Sequence, residues 1–273
     1  MTQKTGKSEK IRYFIVATNQ YVNFARDLIN SMKINSGEEE QLNFTVFTNE
    51  KSSLFDLNER RIEITVVEIP NLGWPDATLA RYDLISSVVH DFNDDILCYI
   101  DADMIVDKNL NCEIRNTITL DQDSFFAVSH PGYWRGGALN YLPTYLRHPR
   151  LILSDAFRFF RLGGIGAWET NEESQAFVAR RKRANYVAGG LWFAKSRVFS
   201  NAVHELAGQV EKDKSEKGVV AIWHDESHLN SWITINKVKI LDPSWCFSPE
   251  FPFLRKLVPK VFAVSKGENF VRR

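Results

Sequence analysis

Short apolar runs alternate along this chain with segments whose apolar positions recur every three or four residues. Residues 11–18, IRYFIVAT, predict a strand, and Tyr21, Val22, Phe24, Ala25, Leu28, Ile29 and Met32 follow at helical spacing. Further strands are predicted at 42–47, 62–69, 96–100 and 125–129, with a helix over about 78–89 between the third and the fourth. A strand over 185–193 is predicted to break at Gly189-Gly190, and a helix over 226–236 to precede a strand at 237–241. Strands alternating with helices predict an α/β domain whose largely parallel sheet is covered on both faces. The less regular stretch 136–183 reads as an insertion over the site.

Composition narrows the function classes. The 273 residues carry 34 basic and 34 acidic side chains, a formal net charge of +0, which argues against a nucleic-acid coat or a general membrane-surface binder. The three cysteines, Cys98, Cys112 and Cys246, are widely spaced and follow no metal-ligand pattern, so they read as reduced thiols of a cytosolic protein. Residues 1–10 are polar and basic, and no apolar run reaches the length of a membrane span. The expected organisation is a disordered segment 1–10, one catalytic domain 11–264, and a flexible lid 265–273.

Ligands of open α/β sheets bind beyond the C-terminal ends of the strands. Asp101-Ala102-Asp103 lies there, after ILCYI, and offers either a hard-cation site or a solvated turn. In Trp223-His224-Asp225-Glu226-Ser227-His228 the acids are either a catalytic cluster or an N-cap with a first-turn residue favoured by the helix dipole, and His228 reads as a packed helix-face histidine. Ala188-Gly189-Gly190, small residues within a bulky strand, mark either the approach of a ligand or a tight backbone crossing. His130-Pro131-Gly132-Tyr133-Trp134 is either a sugar-stacking platform or a packed turn.

Taken in order, these segments resemble the glycosyltransferase family of the histo-blood-group A and B transferases and the α1,3-galactosyltransferases. AIWHDESHLN at 221–230 carries the resemblance, with YIDADM at 99–104 and HPGY at 130–133, and weaker matches in ESQAF at 173–177, YVAGG at 186–190 and WPDATLAR at 74–81. The resemblance implies a GT-A fold, a single Rossmann-like domain with a mostly parallel central sheet. It also implies retaining, metal-dependent transfer of galactose or N-acetylgalactosamine from a UDP-sugar to an oligosaccharide acceptor. Asp101 and Asp103 would hold Mn²⁺, or another divalent cation such as Mg²⁺, against the diphosphate, and Glu226 would be the catalytic carboxylate. Tyr21, Arg81, Ala188, Gly189, Gly190, Asp225, Lys266 and Arg272 match donor-side positions, and His130 and Trp223 match acceptor-side positions. Ala188 and Gly190 would line the pocket at the sugar's C2 substituent, and their small size predicts use of UDP-N-acetylgalactosamine at least as well as UDP-galactose. Val16 stands where relatives place Phe near the uracil. The expectation is a soluble, cytoplasmic bacterial or phage enzyme without the anchored stem of the animal relatives or any transmembrane segment, and without nucleic-acid partners. A UDP-glucose-type transferase and a non-catalytic glycan-binding module using His130, Trp134 and Trp223 are the alternatives.

Overall fold

The computed structural model describes residues 9–136 and 141–264. The chain enters through β1 (Ile11–Val16), turns into α1 (Tyr21–Asn35), and continues through β2 (Leu42–Thr48) and β3 (Ile62–Glu68). Two helices follow, α2 (Asp76–Leu79) and α3 (Arg81–Val88), where the sequence pattern predicts one. Next come β4 (Ile96–Ile100), β5 (Met104–Val106), α4 (Leu110–Ile118) and β6 (Phe125–Ser129). The stretch read as an irregular insertion contains α5 (Tyr141–Arg147) and α6 (Arg150–Leu162). The remaining elements are β7 (Val187–Lys195), α7 (Ser196–Lys212), α8 (His224–Trp232), β8 (Val238–Leu241) and β9 (Val261–Ala263).

Seven strands form one sheet in the order β3-β2-β1-β4-β7-β6-β8, and β5 pairs with β9 in a small separate ribbon. Four of the six pairings are parallel. Only β7 runs against its neighbours β4 and β6, so the expected mostly parallel sheet is present with one reversed strand at its centre. Alternating side chains of β1 divide between two cores: Ile11, Tyr13 and Ile15 pack with Leu28, Ile29 and Ile114 of α1 and α4. Phe14 faces the other way, towards Tyr82, Phe199 and Leu229 of α3, α7 and α8. Both faces are thus covered by helices, as burial of a continuous apolar strand requires.

The reversal of β7 decides where the site lies. Its first residues stand beside the last residues of β4 and β6, so Ala188, Gly189 and Gly190 arrive at the end of the sheet where the parallel strands finish. The strand does not break at the glycines. Its pairing with β6 shifts instead, from Ala127 opposite Trp192 to Val128 opposite Ala188, and the residues between bulge out of the β6 ladder.

Candidate active site

Around the ends of β1 and β4 lies a cleft of about 680 Å³, walled by Val16, Thr18, Asn19, Tyr21, Asn71, Trp74, Thr78, Arg81, Tyr99, Asp101 and Asp103, among others. Of the expected donor-side residues, Tyr21, Arg81, Asp101 and Asp103 line it directly. Asp101 is fixed from three sides: its backbone N–H donates to the Gly190 carbonyl at 2.8 Å, its Oδ1 accepts the Tyr99 hydroxyl at 2.6 Å, and Arg81 Nη2 lies 3.4 Å away. Asp103 lies where β4 has ended and β5 begins, and its carbonyl accepts the Val264 N–H at 2.9 Å, next to β9. Lys266 and Arg272, expected to close over the phosphates, lie outside the described residues.

Arg81 is the hub of the site. Although buried, it donates through Nη1 to Asp225 Oδ2 at 2.9 Å and to the Gly189 carbonyl at 3.1 Å, and its guanidinium lies 4.6 Å from the Tyr99 ring centre. Burial opposes its charge, but the fields of Asp225, Tyr99 and Asp101 outweigh that and push its pKa upward. Asp225 therefore faces Arg81 and does not cap its own helix. Glu226 likewise points away from its helix: its Oε2 accepts the N–H of Gly189, on β7, at 2.9 Å. Neither carboxylate caps the helix: each has its partner on another element.

The motif around them explains the placement. Trp223 is exposed, and Ser227 Oγ accepts the Trp223 N–H at 3.0 Å. His224 takes a left-handed conformation, φ 50°, where the chain enters α8. Asn230 accepts the N–H of Val187 and donates to its carbonyl, both at 2.8 Å, and so clips α8 to the start of β7, fixing Glu226 beside Gly189. His228 is buried with Nε2 3.7 Å from Asp213 Oδ2, and burial lowers its pKa to about 4. It is a packed histidine.

Burial raises the Asp225 pKa to about 7 even though Arg81 opposes the shift, and burial raises Glu226 to about 7 although the Gly189 N–H and the neighbouring Tyr186 phenol hold it down. The Tyr186 hydroxyl is buried and makes no hydrogen bond of normal geometry, so its influence on Glu226 is one of proximity. Tyr186 also packs edge-on against His130 and Tyr133, forming an aromatic wall next to Glu226. His130 is kept neutral by burial, its pKa lowered to about 4, and its Nδ1 accepts the Gly132 N–H at 3.0 Å. Tyr186, Tyr99, Thr18, Asn19 and Asn71 escaped sequence reasoning. The signal for Tyr186 was its place at the head of YVAGG, and the two asparagines mark the turns that follow strands.

Asp101, Asp103, Asp225 and Glu226 converge on a region whose buried cation is Arg81; Asp101, Asp103 and Glu226 all add to the burial that pushes the Cys246 thiol upward. That excess negative charge suits a divalent cation. Among the described residues no three ligating side chains gather at metal-binding spacing. Two carboxylates on a turn would hold a hard ion whose other positions go to phosphate oxygens and water.

A Cβ at Gly190 would meet Met104 Cε at 2.7 Å and Asp101 Oδ2 at 2.8 Å, so any side chain there would require Met104 and Asp101 to shift.

The seven-stranded, mostly parallel sheet is consistent with the GT-A fold. Residues 165–273 match the family model "Glycosyltransferase family 6". Histo-blood group ABO system transferase 1 of Rattus norvegicus is 26% identical over 206 residues, 73% of this chain and 49% of that protein. Histo-blood group ABO system transferase 2 of the same species is 24% identical over 206 residues, 73% of this chain and 52% of that protein. Human alpha-1,3-galactosyltransferase 2 is 33% identical over 92 residues, 30% of this chain and 27% of that protein. The C-terminal part of the chain is thus similar to glycosyltransferase family 6. The chain spans about half the length of the two rat relatives it matches.

Proposed function

We propose that this chain transfers galactose or N-acetylgalactosamine from UDP to a hydroxyl of a galactose-containing acceptor glycan, forming an α1,3-type linkage with retention of configuration. One observation carries the reading: the Glu226 carboxylate is aimed out of its own helix and held by the Gly189 N–H at 2.9 Å, between the acidic cleft end and the aromatic wall. Loss of UDP leaves positive charge at the anomeric carbon and negative charge on the diphosphate, so a transferase needs a carboxylate on one side and cations on the other. In this reading Glu226 faces the anomeric carbon, either as nucleophile or as stabiliser of same-face attack. Asp225, locked by Arg81, receives hydroxyls of the donor sugar, and the cleft with Tyr21 and Val16 takes the base. His130 and Trp223 contact the acceptor.

Family members are generally metal-dependent. Asp101 and Asp103 would hold the ion here, where it would offset the charge of the departing diphosphate.

A panel of UDP-sugars, scored by UDP release and by NMR of the glycan product, tests the reading. The expected result is an α-linked galactose or N-acetylgalactosamine product. Use of UDP-glucose alone would transfer the chemistry to another donor, and absence of UDP release from any donor would favour a glycan-binding module. EDTA is expected to abolish turnover and Mn²⁺ to restore it, with Asp103→Asn impaired at every metal concentration. Full activity in chelator would reduce the two aspartates to a structural turn.

A further inference from the structure

The geometry points to a second interface: the α5–α6 hairpin is a docking face for an anionic lipid surface. Helix α6 is inside out. A surface helix ordinarily turns its apolar stripe to the core and its charges to water. In α6 the buried residue is Asp155, only 3% exposed, whereas Leu153, Phe157 and Phe160 are 78%, 60% and 75% exposed. At helical spacing those three form one stripe, with Ile152, itself exposed, along one edge. Leu142 and Leu146 of α5, one turn apart, are exposed as well.

The inward face is held by polar contacts that fix this orientation. Arg135 forks onto Asp155 at 2.6 and 2.9 Å, Tyr145 donates to Asp155 at 3.1 Å, and Arg158 lies over the Tyr133 ring. Turning the helix over would bury leucine and phenylalanine but strand this buried ion pair, which would cost more than an exposed pair returns.

Charge decides the occupant. The overall net charge of +0 hides a local imbalance: from 141 to 162 the chain has Arg147, Arg150, Arg158 and Arg161 against the lone acid Asp155. Arg150 and Arg161 fall on the other edge of the apolar stripe, and no carboxylate pairs with Arg147, Arg150 or Arg161 among the described residues. Arg180 donates to the Phe159 and Phe160 carbonyls at the end of α6, and Arg181 and Lys182 extend the basic rim beside it. A Leu/Phe stripe bordered by arginines is the signature of a helix lying in a membrane interface, with apolar side chains among acyl chains and cations on anionic headgroups. A second copy of this chain would bring like charges together. No helix among the described residues is long and apolar enough to cross a bilayer, so the contact is peripheral.

Sedimentation of the full-length protein with phosphatidylcholine vesicles, with and without phosphatidylglycerol, tests this. Binding is expected to favour the anionic vesicles by about tenfold or more and to weaken with added salt. The exposed-face variant Leu153→Gln/Phe157→Gln/Phe160→Gln should lose binding, and Arg150→Gln/Arg161→Gln should lose the preference for anionic lipid, with circular dichroism and thermal melting unchanged in both. Failure of the unmodified protein to sediment with anionic vesicles, or unchanged binding by the triple variant, would overturn the proposal. A dimer in analytical ultracentrifugation that the triple variant dissolves, without vesicle binding, would give the face to a second copy of the chain.

Discussion

Glu226→Gln is expected to lower the catalytic rate roughly 10²- to 10⁴-fold while leaving the protein as stable as before, or more so, at pH 8. The amide keeps the shape of the carboxylate and its oxygen can still accept the Gly189 N–H, so the substitution removes charge and little else. The stability forecast follows from the raised pKa. The folded group titrates near about 7, above the ordinary carboxylate value, because burial disfavours its charged form. Between those two values the native state keeps a proton that the unfolded chain has released. The contribution of Glu226 to stability therefore falls as pH rises through that interval, and above about 7 the full burial penalty applies. Glutamine escapes the penalty, and its advantage should grow with pH to the order of 1–3 kcal/mol. If the unmodified protein has the proposed activity, its rate should fall as pH drops through about 7, where Glu226 and Asp225 begin to take up protons. Melting curves and kcat at pH 5.5 and 8 check both forecasts. A variant that is less stable at pH 8 yet fully active would return Glu226 to the role of a helix-terminus residue.

What the sequence made legible is what local pattern controls. Strands β4 and β6 fall where their apolar runs predict, because a strand buried on both faces is written as consecutive apolar residues. Asp101 was legible for the same reason, as the first polar residue after such a run. The reversal of β7 was not, since a buried strand reads alike in either direction and only its partners reveal its sense. That reversal carries Gly189 to Glu226 and converts a strand thought to break into a continuous one with shifted pairing. Helix α6 carries a clear helical periodicity; what its sequence does not show is that the apolar face points outward and Asp155 inward, since the pattern reads alike whichever face is buried. The targets of Asp225 and Glu226 are tertiary facts, set by partners on α3 and β7 that no local pattern reveals. A balanced total charge also conceals the arginines gathered around α5 and α6.

Arg81→Met should be the most damaging single change to the folded site. Its guanidinium joins α3 to three other segments, through Asp225, the Gly189 carbonyl and Asp101, and Asp225 is as buried as the arginine. Removing one partner of a buried pair leaves the other charge uncompensated, which costs about 3–5 kcal/mol. For a domain of this size that is a melting temperature lower by roughly 10 °C. The deficit should depend on pH. Arg81 is the influence that lowers the Asp225 pKa against burial, so without it Asp225 titrates even higher. A carboxyl whose folded pKa is raised costs stability above that pKa and little below it. The variant should therefore approach the parent near pH 5 and fall furthest behind near pH 8. Adding Asp225→Asn should recover stability at pH 8, because no buried charge is left alone, without recovering turnover, and the double-mutant cycle measures the coupling directly. Arg81→Lys supplies a second comparison: it keeps the positive charge but cannot fork between Asp225, Gly189 and Asp101 at once, so it should retain more stability than activity. If Arg81→Met melts as the parent does at both pH values, the guanidinium is not what holds the acidic pair, and the site must be stabilised by some other cation.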